Sequence, residues 1–259
     1  MPLWLHWMIT GMFLAVLAGA FYWFMIRPYA YRWKPCYGSK EYQVCIPTGF
    51  HICGIDVSHH QGHIDWSMVA QRDERQFPLS FAFIKATEGA TFLDGNFYQN
   101  VDSARNAGLM CGAYHFFIPS TSAARQADFF IHNVSLEAGD LPPVLDVEKK
   151  PESRQQFRHD VLSWLQTVEK YYGVRPIIYT SDRFLKAYLS GPEFESYPLW
   201  IAHYYVDYPE SDMEWKFWQF TDRGRVDGIR EQTDINVFQG SASSLDSLRV
   251  RKSVPAMGK

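Results

Sequence analysis

The segment Leu141-Pro142-Pro143-Val144-Leu145-Asp146-Val147-Glu148 ends an apolar run in two acids separated by one valine. On a β-strand, positions i and i+2 face the same way with Cα atoms roughly 6.5–7 Å apart. Asp146 and Glu148 therefore project together. Carboxyl groups held that close raise the pKa of at least one of them, leaving one acid and one anion near neutral pH. One acid plus one anion is the equipment for cleaving a glycosidic bond. The pair also reads as a structural feature neutralised by Lys149, Lys150 or Arg175, and on these two residues alone both readings stand.

Two further acids bear on the choice. Asp56 ends the apolar run Cys53-Gly54-Ile55, and Asp234 opens the last apolar stretch. In a closed barrel the first and last strands are neighbours and face the fourth across the mouth. Four carboxylates converging without a basic cluster are costly to build for structure alone. A metal site would also justify them, but it does not account for the aromatic residues on the same elements: Tyr114, Phe116, Tyr179, Trp200, Tyr204 and Trp218. Ring faces pack against the apolar faces of sugars, so aromatic rims suit polysaccharide clefts. Most of the chain's 19 Phe, 15 Tyr and 9 Trp must fill the core, so only a handful can touch a ligand.

The turn Ser58-His59-His60-Gln61-Gly62-His63 invites a metal reading, but a tight loop does not present three imidazoles convergently. His115 points opposite to Tyr114 and Phe116, as a structural histidine would. Lys85 and Glu88 read first as an ion pair at the rim and second as substrate contacts. No metal and no other cofactor is required by these residues.

Positioning such a constellation requires a scaffold. After Gly49, short apolar runs alternate with amphipathic stretches, the rhythm of an α/β fold. Strands are expected over Cys53–Val57, Ser80–Lys85, Leu109–Phe117, Pro143–Val147, Arg175–Thr180, Leu199–His203, Lys216–Phe220 and Asp234–Val237. Helices are expected over Trp66–Arg75, Asn96–Ala107, Ala123–Val134, Glu152–Tyr172 and Asp182–Leu189, where apolar residues recur at helical intervals. The last three strands have loops where helices would follow, so the barrel should be incomplete on that side. A short tail, 253–259, is expected to fray.

Residues Leu3 to Ile26 contain no Asp, Glu, Lys or Arg, and at ~1.5 Å per residue a helix of that length crosses a hydrocarbon core of ~30 Å. A transmembrane helix is expected over 1–27, with Trp4, Trp7, Tyr22 and Trp23 near its ends. The small residues Ala18-Gly19-Ala20 keep a cleaved signal peptide open as the alternative. Arg27, Arg32 and Lys34 follow, and the remainder carries 22 basic against 28 acidic side chains, a net charge of −6. That surface lacks the basic footprint of a nucleic-acid binder. The three cations would place the following domain in the cytoplasm by the positive-inside tendency, which conflicts with carbohydrate chemistry outside the cell. In the connector, 28–50, Cys36 and Cys45 are expected to form a disulfide in an oxidising compartment. Cys53 and Cys111 read as buried apolar thiols.

Gly54-Ile55-Asp56-Val57-Ser58 with Gln61-Gly62 and Ile64-Asp65-Trp66, Lys85-Ala86-Thr87-Glu88-Gly89, Gly112-Ala113-Tyr114-His115-Phe116, Leu145-Asp146-Val147-Glu148, Trp218-Gln219-Phe220 and Thr233-Asp234-Ile235-Asn236 together resemble glycoside hydrolase family 25. These are lysozymes that cut between N-acetylmuramic acid and N-acetylglucosamine in peptidoglycan. The resemblance runs from Gly54 to Gly240. It implies a flattened, irregular TIM-like β/α barrel over 51–252, with Glu148 as general acid/base and Asp146 assisting the substrate's acetamido group. Asp56 and Asp234 would be the remaining carboxylates of the cleft, and Tyr114, Phe116, Tyr179, Trp218, Gln219 and Glu88 its substrate contacts. The partners implied are peptidoglycan glycan strands and, through the N-terminal helix, the membrane. The expected form is a single-pass monomer with its catalytic domain on the periplasmic side, remodelling the cell's own wall. Two rivals are a wall-binding scaffold with little turnover and a glycosidase for another N-acetylated polymer such as chitin.

Overall fold

All eight expected apolar runs form strands in the computed structural model, which describes residues 2–27, 36–71, 77–211 and 213–258. The chain divides into two units, one up to Tyr37 and one from Gly38. The first holds α1 (Leu3–Phe21), which continues as a π-helical turn over Tyr22–Ile26. Together these 24 residues are long and apolar enough to cross a membrane. None of the side chains in α1 is buried, and the Arg27 guanidinium lies over the Trp23 ring. Arg32 and Lys34, and the end of the helix expected to reach Arg75, lie outside the described residues.

The second unit opens with a hairpin, β1 (Lys40–Glu41) and β2 (Val44–Cys45), followed by β3 (Cys53–Val57), β4 (Leu79–Glu88), β5 (Phe92–Leu93) and β6 (Met110–Phe116). The remaining strands are β7 (Val144–Asp146), β8 (Ile177–Ser181), β9 (Leu199–Ala202), β10 (Trp215–Gly224) and β11 (Thr233–Phe238). Strands β3, β4 and β6 to β10 pair in parallel, and β11 closes the ring by running antiparallel to both β10 and β3. The result is an eight-stranded barrel-like sheet with β5 appended to the end of β4.

Helices α2 (Trp66–Val69), α3 (Phe97–Asn106), α4 (Ala123–Asn133), α5 (Arg154–Tyr172), α6 (Asp182–Phe184), α7 (Pro192–Glu195) and α8 (Ala242–Leu248) connect the strands or follow them. The longest of these, α5, shows why they form where they do. The Ser153 side chain accepts a hydrogen bond from the Gln156 N–H at its start, and Gly173 ends it at φ 69°, a conformation that favours glycine. Between them Phe157, Val161, Trp164, Leu165, Val168 and Tyr172 make a buried stripe at helical spacing.

Strand alternation sorts the remaining side chains into two cores. Outward-facing residues such as Ile55, Ile84, Ala113, Leu145 and Ile201 pack with the helices, while Phe81, Phe83, Val144, Ile177, Trp200, Phe217 and Phe238 fill the interior. Phe83 stacks on Trp200 with centroids 4.4 Å apart. Gly54 and Gly112 make room for these rings, since a Cβ on Gly112 would fall 2.6 Å from the Phe83 ring and one on Gly54 would strike Phe81. Gly112→Ala should therefore destabilise the fold by about 1–3 kcal/mol through overpacking, read as a lower urea midpoint; an unchanged midpoint would mean that the interior has slack.

Several expectations need correction. The barrel unit begins at Gly38 rather than near 51, because Ile46 is buried and the Ile46 N–H donates to the Ser39 carbonyl. The tail does not fray: Val254 and Leu136 exchange backbone hydrogen bonds, and Ala256 is buried. Ahead of the tail, α8 is capped by the Ser241 side chain, which accepts from the Ser244 N–H. Cys36 and Cys45 are both disulfide-bonded, while Cys53 and Cys111 are free and buried.

Candidate active site

A cleft of about 320 Å³ opens where the parallel strands end, the face on which barrel folds place catalytic groups. It is lined by Asp56, Lys85, Tyr114, Phe116, Asp146, Glu148, Tyr179 and Gln219, together with Trp200, Tyr204, Asp234, Ser58 and His60. Every barrel strand contributes, because alternation carries one residue in two from the apolar interior up to the mouth.

Asp146 ends β7, and the backbone beyond it is held between its neighbours. The Val147 N–H donates to the Tyr179 carbonyl at 2.9 Å, and the Thr180 hydroxyl donates to the Val147 carbonyl at 2.6 Å. Val147 faces the outer core, so Asp146 and Glu148 both face the cleft. They differ in setting. Asp146 is buried, and its Oδ1 has no hydrogen-bond partner among the described residues. Glu148 stands exposed at the mouth. Burial pushes the Asp146 pKa well above the carboxylate range, the Glu148 charge adds to the rise, and Lys85 opposes it. Loss of solvent around Glu148 raises its pKa too, with the Asp56 charge contributing.

Asp56 and Asp234 face each other directly in the antiparallel register of β3 and β11. The antiparallel course explains how a residue at the start of its strand reaches the same rim as residues at the ends of theirs. Asp56 Oδ2 accepts from Gln219 Nε2 at 2.9 Å and from Asn236 Nδ2 at 2.7 Å. Neither amide can flip without loss. The Tyr179 and Tyr204 hydroxyls donate to Gln219 Oε1, and Trp200 Nε1 donates to Asn236 Oδ1 at 2.8 Å. Burial raises the pKa of both acids, and the two share a hydrogen bond. The amide donors favour charge on Asp56, which leaves the proton on Asp234.

Raised carboxyl pKa values make folding stability fall with pH. A carboxyl with a folded pKa above its unfolded value contributes its full stability below the unfolded pKa, and this is lost as pH rises through the folded pKa. Glu88, Glu193 and Glu214, whose pKa values are lowered, and His115, lowered to about 4, work in the opposite sense, so the fall with pH is carried by the raised acids of the cleft against them. The urea midpoint should accordingly be higher at about pH 5 than at about pH 8. Asp234→Asn, which can still donate to Asp56, should flatten that slope; an unchanged slope would argue against a neutral Asp234.

Of the other expected contacts, Tyr114, Phe116, Tyr179 and Gln219 line the cleft. Trp218 does not, and that expectation is corrected: its neighbour Gln219 faces inward, so the indole faces outward, fully buried against Phe50, Trp215 and Phe220. Its Nε1 donates to the His203 carbonyl. Glu88 lies beside the cleft, 2.7 Å from Lys85 Nζ. Burial works to raise its pKa, but the Lys85 hydrogen bond and charge, with Lys149, hold it below its ordinary value.

His59 Nδ1 meets the buried Asp94 carboxylate at 2.7 Å, and His60 reaches the cleft. His115 lies in the outer core between Thr87 and Gln126 and stacks on Trp164. Burial lowers its pKa to about 4, so the ring is neutral at pH 7. The residue that strand reading overlooked is Asn236, although its position two beyond Asp234 carried the signal.

The model for glycosyl hydrolases family 25 matches residues 55–229. Lysozyme M1 of Streptomyces globisporus is 37% identical over 214 residues, covering 76% of this chain and 71% of the relative. YegX, an uncharacterized protein of Escherichia coli (strain K12), is 45% identical over 219 residues, covering 84% of this chain and 79% of its own. Among solved structures, the bacterial lysozyme from Streptomyces coelicolor superposes with a TM-score of 0.70 at 35% identity, covering 78% of this chain and 98% of that one.

Proposed function

This chain belongs to family 25 of the glycosyl hydrolases and is a glycoside hydrolase of the lysozyme type, and from that premise we propose that it hydrolyses the β-1,4 bond between N-acetylmuramic acid and N-acetylglucosamine in peptidoglycan. The observation that carries the reading is the pairing, at the end of β7 and two residues apart, of a buried acid with an unpartnered oxygen, Asp146, and an exposed acid of raised pKa, Glu148.

Glu148 is the general acid/base. Its raised pKa keeps the carboxyl protonated to a higher pH than a free glutamate, so it can deliver a proton to the leaving glycosidic oxygen. Asp146 assists the 2-acetamido group. Its free Oδ1 accepts the acetamido N–H, which turns the acetamido oxygen toward the anomeric carbon. With the substrate N–H on Oδ1, Asp146 gives its proton to solvent and acts as the carboxylate. The acetamido oxygen bonds to the anomeric carbon as the glycosidic bond breaks and the Glu148 proton passes to the leaving oxygen, and water then displaces the acetamido oxygen and returns a proton to Glu148. Asp56, held by Gln219 and Asn236, supplies a fixed negative charge beneath the reacting sugar. Tyr114, Phe116 and Tyr179 offer ring surface to the sugar faces.

The N-terminal helix fits a signal anchor, since an apolar helix with no buried side chain needs lipid around it. The domain then lies outside the cytoplasm, where its polymer is found. Labelling of introduced cysteines from outside intact spheroplasts tests the topology, and a protected domain would contradict it. The enzymatic reading is tested by incubating the protein with purified sacculi. Release of soluble muropeptides is expected; binding without release would favour a wall-binding scaffold.

A further inference from the structure

Beside the cleft, where the ends of β4 and β6 meet the segment after β7, lies a charge cluster that the proposed chemistry leaves unused; of its members Lys85 lines the cleft and Glu88 and Lys149 flank it. Lys85 Nζ lies 2.7 Å from Glu88 Oε2, and Lys149 Nζ lies 3.7 Å from Glu88 Oε1. Both ammonium groups also sit over the ring of Phe116, 4.9 and 5.0 Å from its centroid. Phe116 in turn lines the cleft. One carboxylate shared by two ammonium groups leaves the cluster with net positive charge, at the edge of a cleft lined by the carboxyls of Asp56, Asp146, Glu148 and Asp234.

The two lysines are not equivalent. The Lys85 side chain is 9% exposed and tightly paired, whereas that of Lys149 is 50% exposed and its contact with Glu88 is long. An ammonium group has three donors, and a long ion pair leaves donors of Lys149 open to another acceptor. The Phe116 ring fixes where that cation sits.

We infer that Lys149 takes a carboxylate of the substrate, that of the lactyl ether on muramic acid. It thereby separates muramic-acid glycan from neutral N-acetylated glycan. The inference rests on the muramidase reading, because muramic acid is the sugar that brings a carboxylate. A carboxylate brought near the fixed charge of Asp56 gains from meeting a cation, whereas a neutral glycan gains nothing from Lys149.

The test compares kcat/KM of the full chain in detergent on two forms of one oligosaccharide of alternating N-acetylmuramic acid and N-acetylglucosamine, with the lactyl carboxyl free or converted to a neutral amide. The unaltered protein should favour the free acid by about tenfold, the scale of one charge-assisted contact. In Lys149→Met that preference should fall to about one, and Lys149→Arg should keep it. A preference that survives Lys149→Met, or that the unaltered protein lacks, overturns the inference while the muramidase reading stands, because the glycan is still cut. A protein that cuts neither form removes that reading and this inference with it.

Discussion

Replacing Glu148 with glutamine should lower kcat on peptidoglycan by about 10³-fold, within the range of roughly 10²–10⁴ supplied by a positioned general acid. The substitution keeps the size of the side chain and removes only the transferable proton. Because Glu148 is exposed at the mouth of the cleft, and its neighbour Val147 is what the backbone of β8 holds, the fold should not suffer. An unchanged urea midpoint together with retained binding to sacculi would localise the defect to proton delivery. A variant keeping a tenth or more of the parent rate would show that the leaving group obtains its proton elsewhere.

Asp146→Asn should lower kcat by about 10²-fold with little change in KM, the signature of an interaction made mainly in the transition state. Asparagine retains an oxygen in place of Oδ1 and can still accept the acetamido N–H, but it cannot become an anion when positive charge develops beside it. The buried site makes that charge valuable, because few solvent dipoles are there to substitute for it. If KM rose and kcat held, Asp146 would be a ground-state binding residue, and the role given to it in assisting the acetamido group would fail.

Features set by local rules are legible in the chain, and features set by long-range contacts are not. Asp146 and Glu148 share a face because alternation along one strand is a local rule, and α5 is legible because its apolar stripe and both caps lie within 21 residues, Ser153 to Gly173. Strand direction is not local. Period-two alternation reads the same in either direction, so nothing in Thr233–Phe238 announced that β11 runs antiparallel, although that course is what brings Asp234 opposite Asp56. Trp218 failed for a related reason: adjacent residues on a strand face opposite sides, and the pattern alone did not say whether Trp218 or Gln219 faced inward. The hairpin at Lys40–Cys45 and the tail near Val254 are not legible because each is ordered by a distant segment, the Arg225 N–H donating to the Tyr42 carbonyl at one and Leu136 holding the other. Gln219 and Asn236 show the same limit at the site. Their chain positions were visible, but their shared hold on Asp56 depends on β10, β11 and β3 meeting in space.

The most direct test of muramidase chemistry at the Asp146–Glu148 pair is the identity of the new reducing ends in digested peptidoglycan. Fragments reduced with borohydride and read by mass spectrometry should end in muramitol derivatives, and Glu148→Gln should yield none of them. New ends carrying reduced glucosamine would place the cut on the other side of the disaccharide and contradict the proposed function.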